Sequence, residues 1–449
     1  MKEVDAIIIG TGQGGMPLAS ALAGEGQEVA VFERSRVGGS CLNYGCTPSK
    51  TFLAAAHAAG RARAAADLGV RVTVDVDFPK IMSRVRETSE SWSEGAKKRI
   101  IDAPATRIMA EGSFTADGGV QGGGEEFSAP LVVINTGTSP FVPPVPGLEG
   151  TPYLTDRNFW DIAELPSTTL VLGGGYIGLE LGQGLARLGS KVHIVDMQER
   201  VMSIESPEVS EVIHEALERD GVSFHLGVKA GSVEHSNGTF KLEMEGAETL
   251  EGDALYVATG RRPNTRALNA EGAGIELDRR GFIEVDDEFE TSRTGVYAIG
   301  DVIGQPAFTH VSWEDYRRLY GILHGEDRTK GDRVLGYAMY TEPQLGRAGL
   351  SLEQALEQGF DAQEARMDIK DMSRAIEWGQ DLGFFQMVID KDTGHILGAT
   401  LVGYEAGELV HVFLDLIEAG ATWELLERAQ HIHPTYAEYL PSVARMFKD

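Results

Sequence analysis

Two glycine-rich turns, each set between an apolar strand and a helix, restrict what this chain can fold into more than any other feature. In the first, Ala6-Ile7-Ile8-Ile9 reads as a buried strand that runs into Gly10-Thr11-Gly12-Gln13-Gly14-Gly15, after which Met16 to Ala23 is helix-like. Each glycine of such a turn has a physical task. The first permits the tight turn, the second lets backbone approach a pyrophosphate, and the third lets helix and strand pack closely. The helix N-terminus then offers amides and positive dipole to the phosphates. Gly10, Gly12 and Gly15 fill these places, and a second strand, Glu28 to Phe32, ends at Glu33, 23 residues past Gly10, where a carboxylate binds ribose hydroxyls. The unit returns as Thr169 to Leu172, Gly173-Gly174-Gly175-Tyr176-Ile177-Gly178, a helical Leu179 to Gly182, and a strand Lys191 to Val195 ending at Asp196, again 23 residues on. One such turn is weak in a chain with 55 glycines, but two complete units at one spacing predict two doubly wound α/β domains of Rossmann type. Two bound dinucleotides serve electron transfer, so the expected pair is a flavin (FAD) and a nicotinamide.

The acid that closes each unit also bears on the choice of nucleotide. A carboxylate there favours a free 2′-hydroxyl and repels a 2′-phosphate, so Asp196 points to NAD(H) over NADP(H). Arg200, four residues on, is the one nearby cation that would serve a phosphate in another loop conformation, and otherwise reads as a plain surface arginine.

Charge and cysteine usage exclude whole classes of function. At 449 residues the chain is expected to hold two to four domains. Its 40 Lys and Arg against 68 Asp and Glu give a net charge of −28, a field that repels nucleic-acid phosphates and anionic membranes. Glu3 and Asp5 stand where a signal peptide needs basic residues, and no apolar run nears the roughly 18 residues of a span. The expectation is a soluble, cytoplasmic chain without nucleic-acid or membrane partners. Only two cysteines occur, Cys41 and Cys46, and a lone close pair in an unexported chain is more often catalytic or a metal half-site than structural. Zinc needs four ligands, and only His57 stands near, so no metal site is expected. On a helix, the Cys41 and Cys46 spacing is a little over one turn, close enough for a disulfide once Gly45 distorts that turn. A reversible disulfide beside a redox cofactor is a port for electrons.

Through Cys41-Leu42-Asn43-Tyr44-Gly45-Cys46-Thr47-Pro48-Ser49-Lys50 the chain resembles the pyridine nucleotide-disulfide oxidoreductases, the family of dihydrolipoamide dehydrogenase, glutathione reductase and mercuric reductase. The likeness spans essentially the whole sequence. Further motifs stand in order: Val132 to Gly137, Tyr256 to Asn264, and Gly295-Val296-Tyr297-Ala298-Ile299-Gly300-Asp301. The resemblance implies that Asp301 binds the flavin's ribityl chain, that Gly112 passes the adenine, and that Thr136, Gly137 and Gly260 lie in the segments closing the nucleotide sites. It implies that Lys50 and Glu180 pair beside the flavin's reactive nitrogen, where a lysine stabilises charge on the reduced ring. The alternative is two unrelated surface charges. It further implies that Cys46 faces the flavin and Cys41 exchanges with substrate.

Near the C-terminus, His433-Pro434-Thr435-Tyr436-Ala437-Glu438 resembles the His-Pro-Thr-x-x-Glu segment of the thiol-disulfide members. Exchange needs a thiolate to attack and a proton for the leaving sulfur, work suited to a histidine oriented by a carboxylate. His433 matches the catalytic place with Glu438 to orient it, and His431 reads as structural. Family members donate this histidine to the partner subunit, which implies a homodimer with composite active sites.

These readings divide the chain into an FAD-binding part (1–148), an NAD-binding domain (149–264), a return to the flavin domain (265–332) and a C-terminal α+β dimerisation domain (333–449). Within the last, Phe384 to Ile389 and His395 to Val402 read as a hairpin across Asp390 to Gly394. Glycines at 118, 119 and 122–124 read as one hairpin loop. The expected activity is transfer of electrons between nicotinamide, FAD and a small dithiol or disulfide, most like dihydrolipoamide dehydrogenase. Mercuric reduction is disfavoured because no cysteine lies near the C-terminus. Tyr44 and Thr47 replace the aliphatic residues usual in lipoamide enzymes, which leaves another disulfide substrate open. A redox sensor or scaffold without turnover is the reading from another class, and it gives no reason to keep Cys41, Cys46, Lys50, Glu180, His433 and Glu438.

Overall fold

The apolar run Ala6–Ile9 is the middle strand of a five-stranded sheet, and every one of its side chains is buried. A computed structural model describes residues 1–102 and 105–448, the side chains of 99–102 aside. The sheet is parallel throughout, in the order Val296–Ala298, Leu131–Ile134, Ala6–Ile9, Val29–Phe32 and Ala105–Ile108. Strands buried on both faces need no polar alternation, which is why this run reads as continuous Ala and Ile. The second glycine unit builds a matching parallel sheet in the order Val222–Leu226, Lys191–Asp196, Thr168–Leu172 and Ala254–Val257. The last strand of the first sheet comes from residues 296–298, so the chain leaves the first nucleotide domain, builds the second, and returns.

The predicted 118–124 loop is corrected by the structure. Val120–Gly122 is itself a strand, paired on one side with Ser113–Phe114 and on the other with Glu125–Ser128, so the glycines make two successive turns. Val120 is fully buried in the core that also holds Phe114 and Phe127, and this burial pulls a three-residue segment into the sheet. The C-terminal hairpin forms as read, Phe384–Asp390 against Ile396–Gly403, inside a five-stranded antiparallel sheet that also contains Gly336–Met339, Gln344–Gly349 and Ala362–Asp368.

The helices around the site are α1 (Gly15–Gly24), α2 (Gly39–Asn43), α3 (Cys46–Ala64), α4 (Phe78–Asp102), α5 (Tyr176–Leu188) and α6 (Thr309–Leu323). Phe52 of α3 is fully buried and meets Phe159 edge-on at 5.6 Å. A Cβ on Gly184 of α5 would lie 2.7 Å from the Phe52 ring, so the missing side chain lets α3 and α5 close. Truncating such a ring costs about 3–5 kcal/mol. No helix among the described residues is long and apolar enough to cross a membrane.

Candidate functional site

The two glycine units have the same local construction. Gly10 has φ +104° and Gly173 φ +112°, and a Cβ at either would fall 2.3–2.4 Å from a carbonyl oxygen, of Asn135 and Ala258 respectively. At the third glycines, Gly15 and Gly178, a Cβ would lie 2.2 and 2.1 Å from the carbonyls of Gly10 and Gly173, where helix meets strand. The middle glycines differ. At Gly12 a Cβ would press on the Asn135 side chain, while among the described residues nothing lies within 4 Å of the place above Gly175.

The Glu33 carboxylate accepts from the Thr11 hydroxyl at 2.5 Å and the Ser35 amide at 2.8 Å, which fixes it at the end of its strand. Asp196 is held in the same manner, accepting from the Gly174 amide at 2.5 Å and the Gln198 amide at 2.8 Å. Arg200 is spent on the carbonyls of Ser203 and Glu205.

A cavity of about 690 Å³ extends from the first glycine turn to the cysteines. Its wall brings together Gly10, Gly12, Glu33, Cys41, Cys46, Lys50, Gly112, Thr136, Gly137, Glu180 and Asp301. Gly15 sits behind the turn; of the Gly173 to Gly178 turn Tyr176 and Ile177 reach the wall, while its glycines, Asp196 and Gly260 lie outside it. His433 and Glu438 do not line it either. His433 Nδ1 is 2.9 Å from Glu438 Oε2, and 74% of its side chain is exposed, so the pair forms but stands outside the cavity that holds the cysteines.

The residues suit a flavin dinucleotide. The buried Thr136 Oγ1 and Asp156 Oδ1 have no hydrogen-bond partner, and both residues line the cavity. Polar atoms left so in a roomy pocket are paired when a polar ligand enters. At the far end Asp301 accepts from Thr138 Oγ1 at 3.0 Å, and burial raises its carboxyl above the usual range. Thr138 in turn accepts from Arg261 Nε at 2.7 Å, and Arg261 pairs with Asp156 at 2.9 Å.

The cysteines lie on two helices rather than one. Cys41 is in α2, Cys46 opens α3, and Tyr44 and Gly45 form the break between them. Both thiols are unbridged. Cys46 is exposed, but to the recessed cavity and not to the outer surface. Its thiol is pulled down to about 6, first by a hydrogen bond from the Cys41 thiol, against the opposing effect of burial, and then by Thr309 and Lys50. As the first residue of α3 it also meets the positive end of a helix dipole, which favours thiolate. Cys41 is pushed far up by its hydrogen bond to Cys46 and by burial, so it carries the shared proton.

Lys50 Nζ is 2.7 Å from Glu180 Oε2. Burial alone would depress Lys50, but the Glu180 charge and hydrogen bond overcome it and hold the ammonium above its usual value. Glu180 is itself 5% exposed, and its other oxygen accepts from the Tyr340 amide at 2.8 Å. Glu180, Gln183 and Arg187 share one face of α5 and grip the segment Tyr340 to Glu342 at the edge of the C-terminal sheet. Gln183 exchanges two hydrogen bonds of 2.8 Å with the Glu342 backbone, and Arg187 pairs with the Glu342 carboxylate. His57, weighed above as a metal ligand, is turned to the Tyr340 carbonyl at 2.9 Å and to Arg187.

Three further residues complete this site: Asn135 lies inside the Val132 to Gly137 motif, while Thr309 and Thr138 carry no motif of their own. Thr309 Oγ1 stands 3.0 Å from Cys46 Sγ. Asn135 is buried; its Oδ1 accepts from the Gly15 amide and its Nδ2 donates to the Ile299 carbonyl, both at 2.8 Å. Thr138 ties Asp301 to Arg261. Thr309 and Asn135 meet partners more than a hundred residues away, as Thr138 meets Asp301 and Arg261, so no local pattern shows what they hold.

The sequence matches the family described as pyridine nucleotide-disulphide oxidoreductase over residues 4–315, and that family's dimerisation domain over residues 336–444. A dihydrolipoyl dehydrogenase of Halobacterium salinarum is 32% identical over 447 residues, which cover 97% of this chain and 94% of that protein. A mercuric reductase of Staphylococcus aureus is 31% identical over 451 residues, covering 99% of this chain and 82% of that one. Among solved structures, the Cu(II) complex of the HOCl-induced flavoprotein disulfide reductase RclA from Escherichia coli superposes with a TM-score of 0.90 at 30% identity, covering 99% of this chain and 100% of that one.

Proposed function

The chain belongs to the pyridine nucleotide-disulphide oxidoreductases, and from that membership we propose that it moves two electrons between NAD(H) and a small dithiol or disulfide through Cys41 and Cys46, most like dihydrolipoamide dehydrogenase. It is an oxidoreductase of the flavoprotein disulfide reductase kind. One observation carries the substrate reading: Cys41 and Cys46 stand together in the cavity wall, with Thr309 Oγ1 3.0 Å from Cys46 Sγ and Lys50, paired with Glu180, in the same wall. The units of this flavoprotein divide at 148, 264 and 332.

FAD, when bound in the cavity, supplies the two-electron relay between the nicotinamide and the sulfurs. Gly10 and Gly12 would offer backbone to its phosphates, Glu33 a carboxylate to a ribose, and Thr136, Gly137 and Asp301 would hold the ribityl end, with Gly112 serving the adenine. Lys50, kept charged and in place by Glu180, stabilises negative charge that develops next to it. Gly173, Gly175, Gly178 and Gly260 frame the nicotinamide dinucleotide's site. Asp196 puts a carboxylate where a 2′-phosphate would come, which supports NADH over NADPH.

In the exchange itself, a substrate sulfur bonds to Cys41 as the Cys41–Cys46 disulfide opens, and Cys46 leaves as thiolate. Its leaving is favoured because Thr309, Lys50 and the α3 N-terminus stabilise that charge. A second substrate thiol then attacks the mixed disulfide, and Cys41 leaves with a proton. His433 of the second subunit, held through Nδ1 by Glu438, has Nε2 for moving that proton. The exposure of its ring supports this composite site, as does the matched dimerisation domain. The same steps run in reverse for disulfide reduction.

A second reading, metal-ion reduction, has in its favour a thiolate that suits soft metals and relatives named as a mercuric reductase and a Cu(II)-bound reductase. The test is oxidation of NADH, with NADPH in parallel, by FAD-loaded protein given lipoamide, glutathione disulfide, Hg(II) or Cu(II). Turnover with NADH and lipoamide is expected. Turnover with metal ions alone overturns the dithiol reading, and a flavin that neither nicotinamide reduces overturns the reading altogether.

A further inference from the structure

Tyr44, which lies between the two cysteines, has no part in the exchange just described. The structure makes it a platform. The Arg157 guanidinium lies over its ring, 4.3 Å from the centroid, and Trp160 Nε1 donates to the Tyr44 carbonyl at 2.9 Å and fixes the loop beneath. Both Tyr44 and Arg157 line the large cavity, and one third of the Arg157 side chain is exposed.

What sets Arg157 apart is that it is under-used. Its polar neighbours are the Ser40 hydroxyl at 3.5 Å, the Thr138 carbonyl at 3.4 Å and Asp156 Oδ1 at 3.6 Å, all at or beyond the long limit of a hydrogen bond. Arg261, on the other side of Asp156, is held at 2.7, 2.9 and 3.2 Å. A guanidinium has five donors in a planar fork matched to phosphate and carboxylate. Here the aromatic face holds the fork while none of its donors has a short partner among the described residues.

Its location says which anion it suits. Ser40 follows Gly39, whose φ is +64° and where a Cβ would lie 2.8 Å from Gly12 Cα. Ser40 is thus the residue next to a close approach to the turn, and Ser40, Arg157, Gly10 and Gly12 all line the one cavity. The cavity's other inner cations are committed, Lys50 to Glu180 and Arg261 to Asp156, while Arg34 pairs with Glu111 and Arg36 is exposed. Glu33, Glu111, Asp156 and Asp301 add negative charge to a wall of a protein whose net charge is −28. A diphosphate entering that field is repelled unless a cation meets it.

We infer that Arg157, stacked on Tyr44 and assisted by Ser40, binds the diphosphate of the flavin dinucleotide. The inference rests on the flavin reading above. It explains two residues together: an aromatic ring at position 44 replaces the aliphatic one because it carries the arginine, and the arginine offsets this chain's own acidity at the one point where a dianion must sit.

The test is FAD binding to the full-length apoprotein, followed by flavin fluorescence at low and high salt, with riboflavin as the phosphate-free probe. A charge-assisted bidentate contact gives a loss of about 10- to 100-fold in FAD affinity for Arg157→Gln, a shallower salt dependence, and unchanged riboflavin binding. Arg157→Lys recovers part of the loss, and Tyr44→Leu loses less than Arg157→Gln because the charge remains without its platform. FAD affinity within about twofold of wild type in Arg157→Gln overturns the inference. So does equal weakening of FAD and riboflavin, which makes the arginine a structural support. If wild-type apoprotein takes up no FAD, the flavin reading fails first, and the control shows it.

Discussion

Replacing Thr309 by valine deletes one hydroxyl, at nearly constant volume, from beside the sulfur on which the mechanism turns. The Cys46 thiol titrates at about 6 against an ordinary value of 9.0, so its thiolate stabilises the fold fully above about 9, and this contribution disappears as pH falls through 6. Thr309, 3.0 Å away, is one of the groups responsible. A hydrogen bond to a charged group contributes about 1.5–3 kcal/mol, and the open cavity argues for the lower end, roughly 1.5 kcal/mol. At about 1.4 kcal/mol per pH unit, Thr309→Val moves the midpoint from about 6 to about 7, so the thiolate fraction at neutral pH falls from about nine-tenths to about one half. The assay is thiolate ultraviolet absorbance of the reduced apoprotein against pH, read as the first macroscopic midpoint of the coupled pair. Thr309→Ser keeps the donor and holds the midpoint near wild type. A midpoint that stays at about 6 in the valine variant would show that the threonine accepts from the thiol instead of donating to the thiolate, and the reasoning fails.

Lys50→Met raises the same midpoint and Glu180→Gln lowers it, because the ammonium favours the thiolate and the carboxylate opposes it; matching directions in the titration would refute this reading of the ion pair. Asn135→Leu leaves the Gly15 amide and the Ile299 carbonyl buried without partners and destabilises the protein by about 3 kcal/mol, checked by urea unfolding. Cys41→Ser and His433→Gln are each inactive alone, but after subunit exchange the mixed dimer has one intact site, and about a quarter of wild-type activity returns; no recovery means that each subunit uses its own histidine.

What the sequence showed depended on range. Both nucleotide turns were legible because a tight turn must be built from consecutive residues, and Gly10 and Gly173 carry the positive φ that only local sequence provides. The Lys50 and Glu180 pair is 130 residues apart and was approached only through family likeness. Thr309, 263 residues from Cys46, had no local pattern at all. The 118–124 turn was misread because a strand of three residues is too short to show a period of two, and Val120 alone identified it only once its burial was known. The cysteine segment was read as one distorted helix, whereas Tyr44 and Gly45 separate two helices and leave Cys46 at a helix start, where the dipole acts on it.

The face of α5 formed by Glu180, Gln183 and Arg187 works as a ruler. Its three side chains meet the Tyr340 amide, the Glu342 backbone and the Glu342 carboxylate in that order. One residue inserted between Glu180 and Arg187 would rotate the far end by about 100° and move it about 1.5 Å along the axis, so the grip on the C-terminal sheet and the seating of Lys50 would be lost together. This stretch of chain can drift in composition over evolutionary time but not in length.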